Sequence, residues 1–193
     1  MKKIITLLFI VILSFNVSVS AEKIKRISEG KEDAKITIIT YESLTCGHCA
    51  DFHKDIYPKL KKDFIDTGLV KIEFRHFPLD IAAFNASKIG QCNNDGSSDI
   101  IHILFSGQKK WVKGATPEEA AEHLKKFLKD EAINIDFEKC LSNKDIEDYV
   151  LNDRIEGVKK FQVNATPTII INDKKFDNAL NYKNLKKYLE KLI

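Results

Sequence analysis

The chain has 193 residues, with 31 lysines and arginines against 28 aspartates and glutamates and a formal net charge of +3. Acids offset bases along its length, which excludes a strongly sign-biased surface for nucleic acid or an anionic membrane. The length suits one domain with a sizeable core.

The first segment carries Lys2 and Lys3, an apolar stretch from Ile4 to Phe15 and the small-residue end Val19-Ser20-Ala21. That order reads as a secretory signal peptide, residues 1–21, cleaved after Ala21. As a membrane anchor it is too short, because a spanning helix needs roughly 20 apolar residues. Residues 22–193 then form the exported part, which holds Cys46, Cys49, Cys92 and Cys140. Pairing Cys46 with Cys49 leaves Cys92 and Cys140 as a structural disulfide, consistent with an oxidising compartment. The other reading is two separately buried thiols.

The run Ile36-Thr37-Ile38-Ile39-Thr40-Tyr41 is β-branched and aromatic, the composition of a buried strand. It leads into Cys46-Gly47-His48-Cys49, after which Phe52, Ile56, Leu60 and Phe64 recur at four-residue steps as a helical apolar stripe. Pro58 within that stripe is expected to kink the helix rather than end it, and the helix should stop near Gly68. A cysteine at the first helical turn meets free backbone N–H groups and the positive end of the helix dipole, which favour a thiolate at Cys46. Cys49 lies one turn on, near enough to close a small disulfide ring but farther into the packed side.

A second strand is expected over Leu69 to Phe77, parallel to the first through a right-handed crossover. Helical spacing then dominates from about 79 to 161. Within it, Thr116-Pro117-Glu118-Glu119 reads as a helix start with a capping box, and Leu151, Ile155 and Val158 mark the last helix. A second Thr-Pro, Thr166-Pro167, precedes Thr168-Ile169-Ile170-Ile171, a turn at Asn172-Asp173 and a short partner strand around Lys175-Phe176. Tyr182, Leu185, Leu189 and Leu192 form the expected inner face of a terminal helix.

This order resembles the exported thiol-disulfide oxidoreductases of the DsbA family. The matching pieces are Gly30 to Tyr41 leading into Ser43-Leu44-Thr45-Cys46-Gly47-His48-Cys49, and Gly157-Val158 through Phe161 leading into Asn164-Ala165-Thr166-Pro167-Thr168. The resemblance implies an α/β, thioredoxin-like fold, a central mixed β-sheet flanked by helices, with an all-helical subdomain inserted at about 79–161. It also implies that Pro167 is cis and lies against the cysteines, and that the main chain of Thr166 pairs with an extended substrate polypeptide. Two features depart from the family pattern. The dipeptide Gly47-His48 is similar to that of protein disulfide isomerases, where the best known DsbA proteins have Pro-His. Many members also have a carboxylate six residues before the first cysteine; here that position is Thr40, and an acid stands at Glu42. Strand alternation puts Thr40 and Glu42 on one face, so Glu42 is a candidate proton relay for Cys49, a solvated surface acid being the other reading.

The chemistry the resemblance implies is thiol-disulfide exchange that introduces disulfide bonds into exported proteins, and the protein itself is expected in the periplasm. A substrate thiolate attacks the Cys46 sulfur, and a second substrate cysteine then displaces it. His48 is expected to stabilise the Cys46 thiolate as a donor or a positive charge. A fall in the Cys46 pKa from about 8.5 to about 4 would stabilise the reduced form by roughly 4 kcal/mol at pH 7, about 90 mV for two electrons. The direction is that of an oxidant or isomerase.

Expected partners are reduced, unfolded polypeptides and, by resemblance, a DsbB-type membrane oxidase; no cofactor and no metal are expected. No N-terminal dimerisation domain like that of the dimeric bacterial isomerases is evident, so a monomer is expected. The alternatives are a disulfide isomerase or reductase of the same fold, or a non-catalytic peptide- or metal-binding module. A metal site would draw on Cys46, His48, Cys49 and His53, with Cys92 joining them, a spacing ill suited to one tetrahedral ion. His53, His76, His102 and His123 have no partners by spacing and read as surface or satisfied polar residues.

Overall fold

The structure, a computed structural model, describes residues 23–193; the expected signal peptide lies outside them. Five strands, β1 (Ser28–Glu29), β2 (Ile36–Glu42), β3 (Val70–His76), β4 (Thr168–Ile171) and β5 (Lys174–Lys175), form one mixed sheet in the order β1-β3-β2-β4-β5. β2 and β3 are parallel, as the helical crossover between them requires, and β4 runs antiparallel to β2. The thioredoxin-like fold inferred above is thus the observed one.

Alternation divides the central strands between two layers. Ile36 and Ile38 of β2 and Val70, Ile72 and Phe74 of β3 join the larger core with Cys49, Phe52, Leu60 and Trp111. Ile39 and Tyr41 belong to a smaller cluster with Phe77, Phe161, Val163 and Ile170 on the opposite face. Thr40 and Glu42 share parity with Ile36 and Ile38, so they lie on the face that the cysteine-bearing helix covers.

That helix departs from the regular stripe. It runs as α1 (Gly47–Asp51), a π turn (Phe52–Ile56), α2 (Tyr57–Leu60) and a second π turn (Lys61–Ile65). Pro58 has no N–H to return to the preceding turn, and the chain widens just before it, with the Tyr57 N–H bonded to the Phe52 carbonyl. A widened turn holds an extra residue, so Phe52 and His53 are both buried, and Tyr57 takes the inward place expected of Ile56. Gly68, with φ +80°, closes the segment.

Between β3 and β4 lie α3 (Ile81–Gln91), α4 (Asp99–Ser106), α5 (Gln108–Trp111), α6 (Pro117–Asp130), α7 (Phe137–Ser142) and α8 (Lys144–Phe161). Thr116 caps α6 by accepting the Glu119 N–H at 3.2 Å, while the Glu119 carboxylate accepts from Ala115 instead of Thr116, one residue outside the expected box. A disulfide between Cys92 and Cys140 joins the end of α3 to α7, with Cα atoms 5.5 Å apart. Leu151, Ile155 and Val158 are on α8 but face solvent. The buried side is Ile146, Val150, Asp153, Gly157 and Phe161, because the helix closes on the sheet at Gly157, where a Cβ would stand 2.7 Å from the Tyr41 ring. At the end of the chain, α9 (Tyr182–Leu189) buries Leu185 and Leu189, whereas Leu192 lies beyond the helix and is exposed. Asn172 and Asp173 both have positive φ, the signature of a tight hairpin turn of the primed type. Among the described residues no helix is long and apolar enough to cross a membrane.

Candidate active site

Cys46 is the N-cap of α1, in an extended conformation with φ −77° and ψ 121°. Its thiol donates to the main-chain oxygen of Thr166 at 3.3 Å, although 120 residues separate the two. The Thr166–Pro167 bond is cis. Beside this contact runs a groove of about 580 Å³ lined by His48, Phe52, Ile56, Thr166, Pro167 and Tyr182 among others. The CxxC turn and the second Thr-Pro therefore form one site, whereas the first Thr-Pro only starts a helix.

Both cysteines of the motif are free thiols in this structure, and their surroundings drive them apart. A hydrogen bond from Cys49 is the main reason that the Cys46 pKa is lowered to about 5; partial burial opposes it, and Thr166 and the backbone N–H groups of Cys49 and His48 add to it. A thiolate cannot donate to the Thr166 carbonyl, but the buried Thr166 hydroxyl, which has no other partner, is available to it. Cys49 is fully buried, and that burial, its hydrogen bond to Cys46 and the charge of Glu42 push its thiol far above the usual range. The pair is therefore a thiolate in front of a held proton.

His48 presents its side chain to solvent. Its imidazole is 89% exposed and stands 3.8 Å from Asp51. What it lends Cys46 is its main-chain N–H, because the helix start turns that N–H toward the sulfur and the side chain outward. Glu42 is not a solvated acid: its side chain is 5% exposed, and its Oε2 lies 2.9 Å from Nε2 of His53. His53 and His102 are not isolated either, for their Nδ1 atoms are 3.0 Å apart. His76 is buried and bonded to Gln91, its pKa lowered by that burial, and His123 is exposed.

Among the described residues no group of three or more His, Cys, Asp or Glu side chains is arranged to hold a metal ion. Cys92, offered above as a further ligand, is in a disulfide.

Residue-by-residue reading missed Gln108. Its side-chain amide donates to the carbonyls of both Leu44 and Cys46, at 2.9 and 3.0 Å, and so fastens the CxxC turn to α5. Nothing local distinguishes this glutamine. His53 did carry a signal, since it follows Cys49 by four residues and so falls near it on the helix.

The thioredoxin family model matches residues 22–191. Disulfide bond formation protein D of Bacillus subtilis is 31% identical over 172 residues, 84% of this chain and 74% of its own. A Rickettsia bellii protein named for protein-disulfide oxidoreductase activity is 27% identical over 77% of this chain, but the chain spans only 58% of that protein. The crystal structure of Wolbachia pipientis alpha-DsbA1 superposes with a TM-score of 0.76 at 28% identity, covering 86% of this chain and 90% of the other. With the fold, the free CxxC pair and these relatives agreeing, the chain belongs to the thioredoxin family, among its DsbA-type thiol-disulfide oxidoreductases.

Proposed function

We propose that the protein is an exported dithiol oxidase that gives the Cys46–Cys49 disulfide to reduced, unfolded polypeptides and is reoxidised by a DsbB-type membrane oxidase. The observation that carries this reading is the unequal pair: a Cys46 thiolate held at a helix start against Thr166, and a buried Cys49 thiol behind it. A substrate thiolate attacks Cys46, the S–S bond to Cys49 breaks, and Cys49 leaves with the electron pair and takes up a proton. A second substrate thiolate then attacks the substrate sulfur of the mixed disulfide, and Cys46 leaves as a thiolate. The groove beside Pro167 offers the main chain of Thr166 to an extended segment, and Pro167, lacking an N–H, makes no competing hydrogen bond to the sulfur. Glu42 is the proton acceptor for Cys49 in this reading, and Cys92–Cys140 is structural.

A Cys46 pKa near 5 at pH 7 leaves about two pH units of thiolate stabilisation, roughly 2.7 kcal/mol or about 60 mV toward the oxidising side. Equilibration with glutathione should therefore give a potential well above the about −270 mV typical of a reductant. Peptide dithiol oxidation should outrun insulin reduction, and Cys46→Ser should abolish both. A potential at or below −270 mV would overturn the oxidase reading.

A further inference from the structure

Cys49 has no exposed surface, yet each turnover must protonate it once and deprotonate it once. A line of titratable side chains leads from beneath the CxxC helix to the surface. Glu42 Oε2 lies 2.9 Å from His53 Nε2, His53 Nδ1 3.0 Å from His102 Nδ1, and His102 Nε2 2.8 Å from Glu29 Oε1. Side-chain exposure is 5% at Glu42 and His53, 26% at His102 and 15% at Glu29, so His102 is the member most open to solvent. At the inner end, Glu42 Oε1 is buried without a partner. At the outer end, a surface depression is lined by Glu29, Tyr57, Lys61, Ser98 and His102 among others.

Counting protons shows why this line suits transfer. An ionised carboxylate only accepts, and each imidazole nitrogen either donates or accepts. Three contacts among four groups therefore require three protons. Burial works against ionised Glu29, but hydrogen bonds from His102, Lys61, Ser98 and Tyr57 hold its carboxyl well below the usual range. With Glu29 ionised, the three protons have two arrangements: Glu42 ionised beside a histidine pair with one positive charge, or Glu42 protonated beside two neutral histidines. A proton shift within the Glu42–His53 contact converts one into the other. Every hydrogen bond survives the change.

The two rings are held where this requires. His53 stacks on Phe105 of α4 with centroids 4.1 Å apart, and His102 stacks on Tyr57 at 4.4 Å. The titratable and charged groups around them are Glu42 of β2, Glu29 of β1, Asp99 near Tyr57 on α4, and Tyr57, Lys61 and Asp66 of the CxxC helix. β3 contributes the Phe74 ring and, paired with Glu42 in register, the buried His76, while Asp51, Lys54, Lys109 and Lys110 line the groove alongside.

We propose that Glu42, His53, His102 and Glu29 form a relay that carries the Cys49 proton between the buried sulfur and solvent. It rests on the exchange chemistry proposed above. When Cys49 resolves a mixed disulfide at Cys46, its S–H bond breaks, an S–S bond to Cys46 forms, and the departing sulfur takes the electron pair. The proton passes to Glu42, one proton moves on at the Glu42–His53 and His53–His102 contacts, and the partly exposed His102 releases one to water beside the ionised Glu29 that orients it. When a substrate thiolate opens the Cys46–Cys49 disulfide, the protons run inward. His53, His102 and Glu29 are thus positioning and relay residues that do not touch the substrate.

The aromatic disulfide 5,5′-dithiobis(2-nitrobenzoate) separates the steps. Reduced protein releases one chromophore when Cys46 attacks and a second when Cys49 resolves. His53→Asn should leave the first release within about twofold of the parent and slow the second roughly 100-fold, the usual scale of a lost proton carrier. His102→Asn should slow the second about tenfold by the same reasoning, and added imidazole should recover part of each loss. A second release within twofold of the parent in both variants overturns the relay, as does an equal fall in both releases. Absence of the first release in the parent would instead overturn the assignment of Cys46. Should the variants not fold, the parent in mixed H₂O and D₂O decides: a second-release rate that curves with deuterium content supports several protons in flight, and no isotope effect overturns it.

Discussion

The two faces of the sheet bury charge in different ways. Beneath the CxxC helix, the acids Glu42 and Glu29 are linked through two histidines, each able to gain or lose a proton. On the opposite face, under α8, buried Asp153 is bonded to Arg26 and lies 3.7 Å from Arg75, which also binds Glu73 and Glu156 at 2.6 and 3.0 Å. Asp153 further accepts the main-chain N–H of His76 at 3.1 Å. Arginine stays charged at any working pH, so this second network has one protonation state and can only hold. The histidine line has two, with the same hydrogen bonds in each. The same sheet thus has a face that fixes α8 and a face that lets a proton travel, and the identity of the basic residue makes the difference.

This contrast can be broken first at the fixed face. Asp153→Ala removes the acid that Arg26 and Arg75 share and should cost about 3 kcal/mol of stability, the low end for a buried pair because Arg75 keeps two other acids. Urea unfolding would read it; a loss under 1 kcal/mol would mean that the network is ornamental. On the other face, the depressed Cys46 pKa should make stability depend on pH. Because the folded value, about 5, lies below the unfolded one near 9, the contribution is complete above pH 9 and is lost as pH falls toward 5. Dithiol and disulfide forms should therefore differ in thiolate stabilisation by roughly 2.7 kcal/mol at pH 7 and by almost nothing at pH 4. Parallel unfolding curves across that range test this, and a pH-independent difference would contradict it.

Smaller changes sharpen the comparison. Gly157→Ala drives a methyl into the Tyr41 ring, which should cost about 1–3 kcal/mol while leaving the Cys46 pKa unchanged. Thiolate absorbance against pH would expose any leak from one face to the other. The least disturbance is expected from Gly47→Pro. No atom lies within 4 Å of a Cβ there, Gly47 is the first residue of α1, and Cys46 before it already has the extended backbone that a following proline demands. A gain of about 0.5 kcal/mol is anticipated from the stiffer unfolded chain. A loss above 1 kcal/mol would show that the turn depends on glycine.

Local features were legible where neighbours in sequence produce them. The strand at Ile36, the N-cap at Thr116 and the tight turn at Asn172-Asp173 each depend on a few adjacent residues, and each stands where the chain order suggested. The four-residue stripe after Cys49 was legible only in outline, because the π turn before Pro58 changed which side chains face inward. On α8 the spacing of Leu151, Ile155 and Val158 proved a helix but not its buried side, which the close approach at Gly157 selects. His48 was well placed by spacing, yet the direction of its ring depends on the exposed first turn of α1.

Residue order alone was enough to deliver Cys46 at the end of a strand and the start of a helix, since strand propensity, a helix N-terminus and CxxC spacing all act within one short stretch. It could not say that Glu29, Glu42, His53 and His102 would meet, nor that Gln108 would fasten the turn from 62 residues away. Those contacts exist because sheet register, a widened helical turn and the packing of α4 bring distant side chains to within 3 Å of one another. Hydrogen bonding at that range depends on where the backbone goes, which no local pattern of residues encodes.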